Sequence, residues 1–200
     1  SSTSRGLGDV YKRQVIINAR ALNSGLRHGG ISGVLKHIPG HGRAKLDSHL
    51  ALPKVLLDQA VLEDTDFSVF KELKEMDMGM TAHLIFDQLD PKNPATQSPT
   101  VINMIRNEIG FTGLLITDDI SMNALEGNLK TRALKALGAG CDIVLHCNGV
   151  LQEMKLLHQN STELAGNSLD RAKLSINNRP TPVSIDILQL KEEFESLMNE

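Results

Sequence analysis

The sequence contains no tryptophan and one tyrosine, and aromatic residues make up 3% of its 200 residues. Proteins that bind sugars or bases often use aromatic side chains as stacking platforms, so here polar groups must supply most contacts to such a ligand. Basic residues are not in excess either, because the net charge is −3. We therefore expect no nucleic-acid partner.

Long apolar runs and a disulfide framework are also missing. No apolar run approaches the ~20 residues that span a bilayer, which predicts no membrane partner. The two cysteines, Cys141 and Cys147, lie together in one apolar segment. That placement is typical of thiols in a reducing compartment, so we expect a cytoplasmic protein.

Apolar, strand-like runs alternate with amphipathic helical stretches. Strands are predicted at Ile31–His37, Met78–Leu84, Leu114–Thr117 and Cys141–Leu145. Helices are predicted at Val15–His28, Pro53–Glu75, Pro99–Ile109 with Ser98 as its cap, Leu129–Leu137, Leu151–His158, Ser168–Ile176 and Ile185–Met198. This alternation indicates an α/β fold with a parallel sheet covered by helices. A full (β/α)8 barrel takes ~250 residues, so four strands amount to half of one.

The beginning of the chain has an unusual sequence. Asp9-Val-Tyr-Lys-Arg-Gln14 resembles the translated end of a transposon used to prepare sequencing libraries. We therefore expect residues 1–14 to be a non-native or disordered leader. Residues 15–200 would then form the C-terminal half of a single barrel domain, that is, a (β/α)8 TIM-barrel type truncated to roughly strands 5–8 plus C-terminal helices.

Polar residues follow each predicted strand. They are Lys36 and His37, His83, Asp118 and Asp119, and His146 and Asn148. In barrels and open α/β sheets, active sites lie at the C-terminal ends of the strands. We therefore expect these side chains to gather at one end of the sheet.

The segment from Lys36 to His49 is the densest in ionisable groups. Within it, Asp47-Ser-His49 could bring a carboxylate to one imidazole nitrogen, which raises the basicity of the other and makes a proton shuttle near neutral pH. The alternative is a solvated loop in which the pair has no function.

Two adjacent carboxylates end the third predicted strand. One of the two, Asp118 or Asp119, could act as a nucleophile, a base or a metal ligand. We expect only one of them to cap the following helix, and we assign that cap to Asp119. Metal-dependent hydrolysis is an alternative, because the histidines and aspartates of these segments could supply ligands. No HExxH pattern is present, so neither a metal nor another cofactor is predicted.

The motifs resemble those of glycoside hydrolase family 3, in particular its bacterial cytosolic β-N-acetylglucosaminidases of peptidoglycan recycling. The family's Lys-His-Phe/Ile-Pro-Gly-His-Gly loop stands at Lys36–Gly42, and its Asp-Ser-His at Asp47–His49. Its Ser/Thr-Asp-Asp-Leu/Ile-Ser-Met block stands at Thr117–Met122. Thr81–His83 and Gly140–Asp142 match further segments of the family.

The resemblance implies a retaining hydrolase of terminal β-linked N-acetylglucosamine, acting on small carbohydrates such as muropeptides. Asp118 would be the nucleophile and His49 the acid/base, partnered by Asp47. Substrate contacts are expected from Lys36, His37 and His83. An inactive half-barrel fragment is the alternative, because a barrel without its first four strands cannot close.

Overall fold

The computed structural model describes residues 2–46, 48 and 51–199, with side chains from residue 9 onward. Its strands are β1 (Val34–Ile38), β2 (Lys54–Val55), β3 (Met78–Thr81), β4 (Ile85–Phe86), β5 (Leu114–Asp119) and β6 (Ile143–Leu145). Its helices are α1 (Ser2–His28), α2 (Gln59–Asp64), α3 (Asp66–Lys71), α4 (Pro99–Met104), α5 (Leu129–Ala139), α6 (Leu151–Asn160), α7 (Gly166–Asn177) and α8 (Ile187–Met198). A 3-10 turn covers Ala95–Gln97, and a π-helical turn at Ile105–Ile109 extends α4.

The main sheet confirms the predicted α/β fold. Its strands run in the order β1-β3-β5-β6, and every neighbouring pair is parallel. The helices between strands cover the sheet, and the core contains fully buried side chains such as Ile38, Phe111 and Leu115. All four strands therefore direct their C-terminal ends the same way, which is what places the polar residues together.

The long helix predicted over Pro53–Glu75 is wrong in its first part. Lys54–Val55 forms β2, which pairs with β4, and the carbonyls of Pro53 and Val55 accept hydrogen bonds from the amides of Ile85 and Asp87. The remainder divides into α2 and α3. Apolar spacing suits a helix here, but the distant strand β4 supplies backbone partners that a local pattern does not show.

The predicted start and end of α4 are confirmed. The Ser98 hydroxyl accepts a 3.2 Å hydrogen bond from the amide of Val101, and Pro99 occupies the first turn, where its missing N–H costs nothing. The same hydroxyl donates to Asp90 at 2.7 Å. Gly110 ends the extended helix with φ of 78°, a left-handed conformation that favours glycine.

Helix α1 begins at Ser2, well before the predicted Val15, and therefore includes residues 2–14. Their non-native origin stays a prediction. Of the two tail helices, α7 buries Ala172 and Ser175, whereas α8 buries no residue. Among the described helices, none combines the length and the hydropathy needed to cross a bilayer.

Candidate active site

The C-terminal end of β1 presents Lys36 and His37. The register between β1 and β3 shifts between Lys36 and Ile38, so His37 lies at an irregularity that interrupts regular pairing. Irregularities of this kind redirect side chains and are common beside active sites. Lys36 is exposed, and the His37 side chain keeps 29% of its surface accessible.

His37 reaches the first carboxylate of β5. Its Nε2 lies 3.5 Å from Oδ2 of Asp118, a contact that becomes an ion pair when the imidazole is protonated. The strand β3 lies between β1 and β5, and two strand spacings separate backbones by about 10 Å. The two side chains therefore meet across the end of β3. The sheet thus brings these two predicted residues together even though another strand lies between theirs.

Asp118 and Asp119 have different surroundings. In Asp118, Oδ1 accepts a 2.8 Å hydrogen bond from the amide of Asp119, and the side chain stays 17% exposed. Asp119 accepts hydrogen bonds from the amide and hydroxyl of Ser121 and from the amide of Cys147. Asp118 is thus the carboxylate with an oxygen directed toward other ionisable groups.

Asp119 holds a turn and does not cap a helix, since residues 120–125 form turns. Burial acts to raise the pKa of Asp119, but the hydrogen bonds from Ser121 and Cys147 outweigh burial and hold that pKa below its ordinary value. The carboxylate therefore stabilises the fold fully above its ordinary pKa, and this contribution is lost as the pH falls through the lowered value. The predicted helix cap at Asp119 is therefore wrong, because its carboxylate binds Ser121 and Cys147 in a turn. The chemical role of Asp118 stays a prediction.

Arg132 on α5 supports the same turn, a role that no sequence motif indicates. Its Nη1 donates to the carbonyls of Ile120, Ser121 and Met122 at 3.1 to 3.3 Å. One guanidinium thus gathers three consecutive carbonyls directly after the aspartate pair, which holds the end of β5 in place.

The loop after β1 approaches His37 from the other side. His41 places its ring centroid 5.6 Å from that of His37, and its Nε2 lies 3.2 Å from the hydroxyl of Ser48, which is buried. Ser48 is the middle residue of the Asp-Ser-His motif. Asp47 and His49 themselves lie outside the described residues, so their shuttle stays a prediction.

His83 lies inside the fold, with both ring nitrogens close to protein groups. Its side chain is fully buried, Nδ1 lies 2.8 Å from the hydroxyl of Thr96, and Nε2 lies 3.0 Å from the carbonyl oxygen of Asp119. Burial lowers the pKa of His83, although the Asp119 carbonyl acts to raise it. Both ring nitrogens are therefore used inside the fold in this structure, and the substrate contact of His83 stays a prediction.

The residues after β6 pair with a neighbouring helix. His146 Nε2 lies 2.8 Å from Oε2 of Glu153 on α6, and the side-chain Nδ2 of Asn148 donates to the same oxygen. They therefore support the rim of the sheet. Within residues 2–46, 48 and 51–199, no three histidine, cysteine, aspartate or glutamate side chains are grouped to hold a metal.

Comparison with known proteins gives a consistent result. Residues 9–177 match the family model described as "Glycosyl hydrolase family 3 N terminal domain". A beta-hexosaminidase of Methylobacillus flagellatus is 36% identical over 159 residues, which cover 76% of this chain and 45% of that protein. Another, of Alkalilimnicola ehrlichii, is 41% identical over 154 residues, with 72% and 44% covered.

Solved structures show the same likeness. NagZ from Neisseria gonorrhoeae, solved with N-trifluoroacetyl-D-glucosamine, superposes with a TM-score of 0.70 and 32% identity over 83% of this chain and 47% of NagZ. A family 3 beta-N-acetylglucosaminidase from Paenibacillus sp. gives a TM-score of 0.72 with 29% identity, over 82% of this chain and 35% of that protein.

The coverage bears on the predicted extent of the chain. The chain spans less than half the length of the curated relatives it matches. The family description that matches residues 9–177 is that of an N-terminal domain. The expectation that the chain is the C-terminal half of the domain is therefore wrong. The numbering of the strands as 5–8 of the barrel stays a prediction.

Proposed function

Because the chain belongs to glycoside hydrolase family 3, we propose that it carries the catalytic centre of a β-N-acetylhexosaminidase that hydrolyses its substrate with retention. The curated relatives are named beta-hexosaminidases, and the related NagZ was solved with an N-acylated glucosamine. The proposed substrate is a small carbohydrate ending in β-linked N-acetylglucosamine, such as a muropeptide. The proposed location is the cytoplasm, where the exposed thiol of Cys147 would stay reduced.

One observation carries the proposal: the approach of His37 to Asp118 at the C-terminal end of the sheet. One oxygen of Asp118 accepts a hydrogen bond from a backbone amide, and the other lies beside the His37 imidazole. The carboxylate of its neighbour Asp119 instead binds Ser121 within a turn. A partly exposed carboxylate in a fixed orientation is what nucleophilic attack on an anomeric carbon requires.

The proposed reaction has two displacements. First, an Asp118 oxygen forms a bond to the anomeric carbon while the bond to the leaving oxygen breaks, and the leaving oxygen takes a proton from the His49 imidazolium. Then His49, now neutral, takes a proton from water, whose oxygen bonds to the anomeric carbon and releases the Asp118 carboxylate. Asp47 would orient His49 and stabilise its charged form.

This arrangement replaces one carboxylate of the usual retaining pair by an Asp-His pair. The assignment of His49 and Asp47 rests on the motif and its order in the sequence. The hydrogen bond between His41 and Ser48 supports it, because it draws the middle of that motif toward His37. Lys36 and His37 are proposed to donate hydrogen bonds to hydroxyls of the sugar ring.

Product stereochemistry tests the proposed function. Proton NMR during hydrolysis of an aryl β-N-acetylglucosaminide is expected to show the β anomer of N-acetylglucosamine first, followed by slow mutarotation. The matched control is the aryl β-glucoside, which lacks the acetamido group and is expected to react far more slowly. Release of the α anomer first would refute the double displacement, and a loss of activity on chelation would favour the metal-dependent alternative.

A second prediction concerns His49. In His49→Ala, substrates with poor leaving groups are expected to lose far more activity than those with good leaving groups, because only a poor leaving group needs the proton in the first step. Rate constants for a series of substituted phenyl glycosides measure this, and Ser48→Ala serves as a control in the same loop. Equal losses across the series would exclude His49 as the acid.

The alternative proposal is an inactive half-barrel. It is favoured by the described sheet, in which β1 and β6 are the outer strands and the order does not close. Absence of any hydrolysis by the folded chain, together with activity after addition of the separately produced remainder of a relative's barrel, would support this alternative.

A further inference from the structure

His83 occupies the space between the two strands that carry the site. It follows β3, the strand between β1 and β5, and its ring lies inside the fold with no exposed surface. Its Nε2 lies 3.0 Å from the carbonyl oxygen of Asp119, the residue directly after the proposed nucleophile. The preceding residue, Ala82, donates its amide to the carbonyl of Ile38 at 3.0 Å.

These two hydrogen bonds connect the ends of β1 and β5. Ile38 directly follows His37 on β1, and Asp119 directly follows Asp118 on β5. Because β3 ends at Thr81, regular strand pairing no longer fixes the separation of the two ends at this level. The segment Ala82–His83 therefore bridges the two backbones directly behind the residues whose side chains meet at 3.5 Å.

The partners of His83 determine its tautomer. A carbonyl oxygen can only accept a hydrogen bond, so Nε2 must carry the proton. On the other side of the ring, Nδ1 lies 2.8 Å from the hydroxyl oxygen of Thr96. That hydroxyl also lies 2.8 Å from the buried hydroxyl of Thr81 and donates to the carbonyl of Ala82 at 3.0 Å. Thr96 therefore helps to hold the ring in place, while the Asp119 carbonyl requires the proton on Nε2.

We propose that His83 is a positioning residue for the nucleophile: its Nε2–H, which the Asp119 carbonyl requires, holds the peptide of Asp119 and thereby fixes the direction of the Asp118 carboxylate toward His37. The link is short, because the Asp119 amide that binds Asp118 Oδ1 belongs to the residue whose carbonyl His83 holds. This inference deepens the proposed function, since it concerns the same carboxylate.

The test measures the NMR chemical shifts of the His37 ring nitrogens in the substrate-free, ¹⁵N-labelled protein. The variant Asp118→Asn supplies the reference shift for a His37 ring that has lost its contact with the Asp118 carboxylate. In His83→Leu, which removes both ring nitrogens, the His37 signal is expected to move most of the way to that reference. In His83→Gln, whose amide can donate to the Asp119 carbonyl, the signal is expected to return toward wild type. Thr96→Val is the matched control, because it disturbs the same buried network and leaves the Asp119 link in place.

The same spectra report the tautomer, and a coupling across the hydrogen bond from Nε2 to the Asp119 carbonyl carbon is expected in wild type. In hydrolysis, His83→Leu is expected to lower kcat by roughly 10²-fold and leave KM nearly unchanged, as for a misplaced reacting group. If His83→Leu is insoluble, the comparison of His83→Gln with His83→Asn, which is too short to reach the carbonyl, replaces it.

An Nδ1–H tautomer, or a His37 signal that shifts equally in His83→Leu and Thr96→Val, would overturn the positioning role and leave His83 as a core residue. The NMR readout needs no substrate, so it is independent of whether the protein hydrolyses glycosides. Normal His37 shifts without hydrolysis would count against the proposed function alone.

Discussion

Asp118→Asn is expected to lower kcat/KM for an aryl β-N-acetylglucosaminide by roughly 10⁴-fold or more, because the loss of a catalytic nucleophile can cost up to about 10⁶-fold. An amide oxygen is a far weaker nucleophile than a carboxylate, so the first displacement loses its covalent route. The loss corresponds to about 5 kcal/mol in the activation barrier. Initial rates, with active protein quantified by its folded fraction, measure the effect.

The matched control is Asp119→Asn. Its side chain lies one residue away and holds Ser121 and Cys147, so this variant tests whether the aspartate pair matters for structure alone. We expect a lower unfolding temperature and a much smaller loss of turnover than in Asp118→Asn. Equal losses in the two folded variants would contradict the assignment of Asp118 as the nucleophile.

Asp142→Ala is expected to destabilise the protein by about 3 to 5 kcal/mol, the cost of breaking a buried ion pair by removing one partner. Asp142 is 1% exposed in its side chain and joins three parts of the fold. Its Oδ2 accepts from Arg106 at 2.7 Å and from the amide of Leu115, and its Oδ1 accepts from Ser168 and Arg171. Removal leaves two arginines without their common anion.

Urea unfolding followed by circular dichroism measures the change. Because domains are typically stable by about 5 to 15 kcal/mol, a loss of this size removes a large part of the free energy of unfolding and is expected to lower the urea midpoint clearly. The control is Glu72→Ala, which removes an exposed pair with Arg20 and is expected to cost less than about 1 kcal/mol. A midpoint for Asp142→Ala within the range of that control would refute the role of Asp142.

Asp142 also shows where the sequence is informative and where it is not. The motif Gly140–Asp142 marks the residue, but nothing in the motif says that Asp142 binds two arginines from separate helices. Likewise, the order of residues marks His83 as a polar group after a strand, a pattern that suits a substrate contact. Only the packing shows that Asp119 and Thr96 already occupy its ring nitrogens.

Local signals predicted the elements that local chemistry decides. Ser98 and Pro99 predicted the start of α4, and Gly110 its end, because caps and left-handed glycines act within a few residues. The strand β2 was missed because its hydrogen-bond partner, β4, is distant in sequence and the apolar spacing around Pro53 fits a helix equally well.

By itself, the sequence determined the alternation of strands and helices, the parallel α/β class and the two motifs that belong to glycoside hydrolase family 3. These follow from periodicity and from residue order, which are properties of the chain alone. The tertiary structure decided which polar groups meet. The strands of His37 and Asp118 lie on either side of β3, and the two side chains meet because β3 ends before it can keep them apart. The ring of His83 lies inside the fold because its partners belong to β5 and to the 3-10 turn at Ala95–Gln97.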